Sequence, residues 1–138
     1  MAFNVDSTEW MLLSLPIGAA LIYLPFLAVG YGRLQAGYDT SRPRAMFDKL
    51  PPYAQRATWA HQNGFESFIQ YAPAALAAYV TGQDSAISLG AVILYLAART
   101  LYPLFYILDA PALRSLMFGL GSLGSFTLFV ISCRSALM

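Results

Sequence analysis

The sequence predicts an all-α integral membrane protein, a four-helix bundle running up and down with antiparallel neighbours. Three observations carry that expectation. Hydrophobic residues make up 58% of the 138 residues, charged residues only 11%, and mean hydropathy is +0.55; a soluble domain carries roughly 25% charge. No charged residue interrupts the chain from Trp10 to Gly32, and about 20 apolar residues suffice to cross the hydrocarbon core. Prolines, glycines and polar clusters then divide the remainder, so that spans are expected at about 8–34, 53–81, 85–108 and 112–134 of a single domain covering 1–138.

The first span opens at Asp6, which with Glu9 three residues on has the spacing of a capping box. Pro16 and Pro25 lie inside it. Each removes a backbone donor, so a bend is expected at one or both. Arg33 closes the span, and Gly37 to Pro52 reads as a polar loop. Pro51-Pro52 suits the first turn of span two, where a missing N–H costs nothing, and Thr81-Gly82-Gln83 ends that span near Val80. Asp84 or Ser85 can cap span three, Ala86 to about Leu108, which is apolar except for Arg99. Asp109-Ala110-Pro111 reads as a tight connection with its own N-cap before span four.

Basic residues set the orientation. Arg33, Arg42, Arg44, Lys49 and Arg56 cluster in and around the first connection, while the second connection and the N-terminal tail have none. The positive-inside rule therefore puts the first and third connections in the cytoplasm, with both termini on the non-cytoplasmic side of an inner or cytoplasmic membrane. The N-terminus lacks the basic start of a signal peptide, so no cleaved segment is expected. A net charge of +1 without a basic run gives no sign of nucleic acid as a partner.

Arg56, Asn63, Glu66 and Gln70 step by seven, three and four residues, which aligns them on one stripe of a helix. Tyr95, Arg99, Tyr102 and Tyr106 repeat the pattern on span three. Glu66 and Arg99 fall at similar depths, about 15 and 13 Å from the cytoplasmic ends of their spans, and an ion pair between them is expected. Read blandly, that pair is a structural clamp. Arg114 argues for more: it occupies the first turn of span four, where the helix dipole makes a cation unfavourable without an anion. With Arg33 and Arg56 it leaves the cytoplasmic half rich in cations, suited to an acidic guest.

Other features point to structure. His61 is the only histidine and has no ligand partner at i+4, so it reads as an interface group and no metal site is expected. Cys133, at the end of an apolar run, reads as a buried and inert thiol. Ser115 with Gly119, and Gly121 with Ser125, form small-residue pairs that would let another helix approach. Neither a Ser/His/Asp arrangement nor a phosphate-binding glycine loop is present, since the glycines from Gly119 to Gly124 lie inside an apolar span.

The segment Ala60-His61-Gln62-Asn63-Gly64-Phe65-Glu66 resembles the AHxNxxE signature of the MAPEG superfamily, membrane-associated proteins in eicosanoid and glutathione metabolism. The stretch from Arg99 through Tyr102 to Tyr106, followed by Arg114-Ser115, is similar to that family's second signature, and Arg33-Leu34 also fits. The resemblance covers essentially the whole chain. It implies a homotrimer with glutathione sites between subunits, open to the cytoplasm. Carried over position by position, Arg33, Asn63, Glu66, Arg99 and Tyr106 would contact glutathione, with Arg56 and Tyr102 of the polar stripes beside them. Arg114, helped by Ser115, would stabilise its thiolate.

Two functions follow from that resemblance. The first is a membrane-bound glutathione-dependent transferase or peroxidase acting on a lipophilic small molecule that enters from the membrane lipids. The second is a non-catalytic trimer serving as an accessory or scaffold subunit of a larger membrane complex. It is favoured by Trp59 and Gln62, where many catalytic relatives carry arginine, and by Phe118, where they carry tyrosine. A third reading, carriage of a lipophile, would use Tyr95, Tyr102 and Tyr106 as cavity walls.

Overall fold

The computed structural model describes residues 6–138, so the expectation about a targeting segment, which rests on residues 1–5, lies outside the described residues. Those residues form five α-helices and one short 3-10 helix: α1 Ser7–Tyr23, α2 Phe26–Gln35, the 3-10 segment Pro43–Lys49, α3 Pro52–Val80, α4 Ala86–Ile107 and α5 Pro111–Ala136. Ser7–Gln35, Ala86–Ile107 and Pro111–Ala136 are long and apolar enough to cross a membrane. At 29 residues α3 is longer than a span needs, but it carries more polar side chains.

The first expected span is divided in two. Pro16 is absorbed within α1, whereas Pro25 breaks the rod, and the amides of Leu24 and Leu27 turn to the carbonyls of Leu21 and Leu24. A lost donor is tolerated where neighbouring three-residue bonds take up the slack. Asp6 caps α1 by accepting from Glu9 N at 2.9 Å.

The capping signals of the middle helices act as their chemistry dictates. Gly82, at φ +62°, ends α3 with its N–H on Tyr79 O and that of Gln83 on Ala78 O, the paired bonds of a Schellman motif. Ser85 opens α4 in a reciprocal exchange with Ser88.

Three expectations fail. The stretch from Gly37 to Pro52 is not all loop, because Pro43 starts a 3-10 helix that buries Met46. Asp109 does not cap α5; Ala110 holds that position without a side-chain bond, and Asp109 instead adopts φ +58° as the residue that ends α4. Cys133 is exposed. The inward stripe of α5 runs through Gly121, Gly124, Ser125, Leu128 and Ser132, and Cys133 is one residue off it, about 100° round the helix.

α3 packs against α1, α2, α4 and α5, and the most extensive contact joins α4 to α5. Gly121 and Gly124 make that contact possible, since a Cβ on Gly124 would sit 2.7 Å from the Ala91 carbonyl. The Gly121/Ser125 pair is thus used inside the chain. A Cβ at Gly119 would meet nothing within 4 Å. At the centre, Tyr71 and Tyr95 stack with ring centroids 3.5 Å apart, while Tyr71 Oη donates to Ser14 Oγ and Ser14 to Met11 O. A buried phenol with its hydroxyl satisfied joins large apolar area to a polar tie between α1 and α3.

Candidate functional site

The two polar stripes meet, but not as the expected ion pair. Arg99, only 6% exposed, donates from Nη1 to Asn63 Oδ1 at 3.1 Å, and Asn63 Nδ2 donates to Glu66 Oε2 at 3.2 Å. No direct Arg99–Glu66 bridge forms among the described residues. The asparagine is three residues before Glu66 and one turn closer to Arg99, so it takes the guanidinium and leaves the carboxylate exposed. Asn63 was legible as a stripe residue; its role as a relay was not.

Aromatic rings extend the line along α4. The Arg99 guanidinium carbon lies 4.3 Å from the Tyr102 ring centroid, Tyr102 meets Tyr106 edge-on at 5.6 Å, and the Arg114 guanidinium lies 4.6 Å from the Tyr106 centroid. Two rings thus stand between two cations, in a line from the interior to the first turn of α5. Such contacts hold a guanidinium in place without neutralising it.

Two adjoining grooves flank this line. One, of about 460 Å³, is lined by Trp59, Gln62, Asn63, Glu66, Tyr102 and Tyr106. The other, of about 300 Å³, is lined by Asn63, Tyr102, Tyr106, Arg114, Ser115 and Phe118. Asn63, Tyr102 and Tyr106 belong to both, which makes one open trough with Glu66 towards one end and Arg114 with Ser115 towards the other. The first turn of α5 holds no acid, and its N-cap, Ala110, offers no side-chain acceptor. The helix dipole and Arg114 consequently act on the trough together.

Two expected members lie elsewhere in the chain. Arg56 donates from Nε and Nη2 to Ile107 O at 3.1 and 3.0 Å, and its Nη1 lies 3.6 Å from Asp109 Oδ2. It closes the α4 C-terminus instead of facing the trough, because the carbonyls that end a helix attract cations. Arg33 lines a separate cavity of about 540 Å³ with Arg44, Phe47, Thr58 and others. Gln62 borders both that cavity and the trough. Arg44 and Phe47 were hidden from sequence reasoning by the 3-10 segment that carries them.

His61 acts as an interface group: Nδ1 meets Ile22 O at 2.7 Å, among the rings of Tyr23, Phe26 and Phe65. A carbonyl only accepts, so Nδ1 carries the proton. Among the described residues no three His, Cys, Asp or Glu side chains are grouped as a metal would require.

No curated protein and no solved structure matches the chain. The profile of the MAPEG family, by contrast, matches residues 11–134 and so takes in every helix that forms the trough. With three helices long and apolar enough to cross a membrane, the protein is an integral membrane protein and belongs to the MAPEG family.

Proposed function

We propose that the protein is a membrane-bound, glutathione-dependent transferase or peroxidase that acts on a lipophilic substrate through a thiolate held by Arg114. The observation that carries this reading is the Arg114 guanidinium, 4.6 Å from the Tyr106 centroid and beside Ser115, in a first helical turn that holds no acid. A free thiol with a pKa near 8.5 is mostly protonated at neutral pH. A guanidinium and a helix N-terminus favour its anion.

The trough suits the tripeptide in outline. Glu66, exposed at one end, accepts the ammonium, and Arg114 with the Ser115 hydroxyl takes the sulfur at the other. The thiol proton leaves to water in the open trough. The sulfur then bonds to an electrophilic carbon of a lipophile arriving from the bilayer, whose leaving group departs as an anion to water, or to a peroxide oxygen. In the second case the O–O bond breaks, the alkoxide takes a proton from water, and a second glutathione reduces the sulfenic acid to disulfide and water. Arg99 holds Asn63 in register beneath the tripeptide, and Tyr102 and Tyr106 form the floor.

The membrane frame is part of this proposal. Four spans run antiparallel in a bundle: the α1–α2 rod, α3, α4 and α5. α3 crosses despite its polarity because Asn63, His61 and Thr58 are bonded to Arg99, Ile22 and Ala54. The first connection faces the cytoplasm and the termini face away. Three copies assemble, which would let Arg33 reach a neighbour's trough.

One observation favours the non-catalytic reading. The larger groove has no cation on its walls and the smaller has only Arg114, a thin complement for a peptide with two carboxylates. Equilibrium binding of glutathione to the detergent-solubilised protein, with thiolate absorbance followed against pH, separates the two. Binding in the millimolar range or tighter, with a thiolate signal that Arg114→Ala removes, is the expected result. No binding at millimolar glutathione overturns the enzyme reading, and binding with a thiolate signal indifferent to Arg114→Ala overturns its role.

A further inference from the structure

We propose that Arg56 is a positioning residue for the thiolate site: by gripping the carbonyl of Ile107 from α3 it fixes the turn between α4 and α5, and with that turn the guanidinium of Arg114. The inference rests on the reading of Arg114 given above.

The turn is poorly secured by its own residues. α5 starts behind Ala110, an N-cap with no side-chain acceptor, and Asp109 beside it stands at φ +58°, a left-handed conformation that residues other than glycine hold at a cost. Its backbone bonds, Asp109 N to Tyr106 O at 3.2 Å and Ala110 N to Phe105 O at 2.9 Å, close the end of α4 upon itself. The tie to another helix comes from α3. Arg56 Nε and Nη2 converge on Ile107 O at 3.1 and 3.0 Å, while Nη1 lies 3.6 Å from Asp109 Oδ2. Two N–H groups of one rigid, planar guanidinium on a single acceptor fix the direction of that carbonyl as well as its distance. The Arg56 side chain is 24% exposed and that of Asp109 73%, so the hold lies in the carbonyl bonds and the solvated ion pair adds little.

Arg114 is joined to that carbonyl from both sides. One residue before Ile107 is Tyr106, whose ring centroid lies 4.6 Å from the Arg114 guanidinium. Three residues after it is Ala110, whose carbonyl accepts the Arg114 amide at 2.9 Å. Trp59, three residues along α3 from Arg56, meets the Tyr106 ring at 6.4 Å, so one face of α3 holds both the carbonyl and the ring. A shift of the turn therefore moves the backbone of Arg114 and its aromatic seat together. The attraction between a guanidinium and a thiolate falls by about a fifth when 4 Å becomes 5 Å; at an effective dielectric constant of about 20 this raises the thiol's midpoint by about half a pH unit.

The test follows thiolate absorbance against pH for glutathione on the detergent-solubilised full-length protein, in the wild type and in Arg56→Met, Arg56→Lys and Asp109→Asn. Arg56→Met should raise the midpoint by about half a unit, and Arg56→Lys, which keeps the charge and one donor to Ile107 O, by less. Asp109→Asn changes the local charge by one unit yet keeps both carbonyl bonds and a residue that tolerates positive φ, so its midpoint should stay. Glu66, Arg99, Tyr102 and Tyr106, the other charged or titratable groups along the trough, are common to all four proteins. An unmoved midpoint in either Arg56 variant overturns the proposal. A fall in Asp109→Asn that matches the rise in Arg56→Met also overturns it, because Arg56 would then act through its field and not through the turn. Hydrogen exchange of the Arg114 amide in the glutathione-free protein reads the same link without a thiol. It should quicken in the Arg56 variants and not in Asp109→Asn, and exchange indifferent to Arg56 overturns the positioning role. Should Arg56→Met fail to fold, Arg56→Lys carries both measurements. A wild type without a thiolate signal counts against the reading of Arg114 and not against this link, which the exchange rates then decide.

Discussion

Asn63 stands between Arg99 and Glu66, accepting from the first at 3.1 Å and donating to the second at 3.2 Å. Among the described residues it is the only side chain hydrogen-bonded to Arg99, which is almost wholly buried. Asn63→Leu should therefore cost about 1.5–3 kcal/mol, the scale of a hydrogen bond to a buried charge. Glu66→Gln should cost less than about 1 kcal/mol, because the carboxylate is exposed and bonded only to the amide. Thermal unfolding in detergent measures both. Equal losses would mean that the carboxylate, and not the amide, compensates the guanidinium.

Arg56 makes a second test of where a partly buried cation finds its partner. Its two bonds to Ile107 O hold the turn in which Asp109 adopts φ +58°. Arg56→Met should destabilise the protein by about 1.5–3 kcal/mol and speed hydrogen exchange at the Ala110 amide, which bonds Phe105 O at 2.9 Å. Asp109→Gly exchanges an exposed ion pair for a backbone at ease with positive φ, and the two effects, each about 1 kcal/mol or less, nearly cancel. A loss in Asp109→Gly as large as that in Arg56→Met would show that the ion pair carries the turn.

Local rules read well in this chain, and contacts between helices less so. Gly82, Ser85 and Pro25 each dictate a backbone event within a few residues, and α3 begins and ends where the sequence says. Arg33 and Arg114 share a sign and a helix-end position, yet α2 and α5 carry them to different cavities. Position along the helix was legible only to within a turn, since Arg99 met Asn63 instead of Glu66 on the same stripe. Cys133 failed for a different reason, since hydropathy does not say which side of α5 faces the protein. The family resemblance named Arg33, Asn63, Glu66, Arg99, Tyr106, Arg114 and Ser115; all but Arg33 lie on or against the trough of this chain, whereas Arg33 lines the other cavity and Arg56, drawn from periodicity, closes the α4 C-terminus.

The helix contact beneath the trough depends on a missing side chain. A methyl group at Gly124 would come within 2.7 Å of the Ala91 carbonyl and 3.3 Å of the Tyr95 amide nitrogen, neither of which can move without shifting α4. Gly124→Ala should cost about 1–3 kcal/mol. Gly119→Ala meets nothing and should gain up to about 1 kcal/mol of helix propensity. The unfolding midpoints of the two variants check the contrast. A Gly119→Ala loss matching that of Gly124→Ala would reveal a second copy packed on that face.

Gln62 offers a direct trial of the charge argument, since it borders both the trough and the Arg33 cavity. Glutathione brings two carboxylates and one ammonium, and its thiolate adds a further negative charge. The larger groove presents Glu66 and no cation, so electrostatics there favour only the ammonium. Gln62→Arg places a guanidinium beside Asn63 without burying it. Glutathione affinity should rise about fivefold, roughly the 1 kcal/mol that a well-formed exposed pair provides. The gain should shrink as salt is raised through 0.15 M, where the screening length falls to about 8 Å. The thiolate signal at Arg114 should keep its pH midpoint, because the new cation acts on the carboxylates. A dissociation constant that stays put would mean that the tripeptide does not lie along this groove. A gain that persists at high salt would mean that the arginine acts by contact area instead of charge.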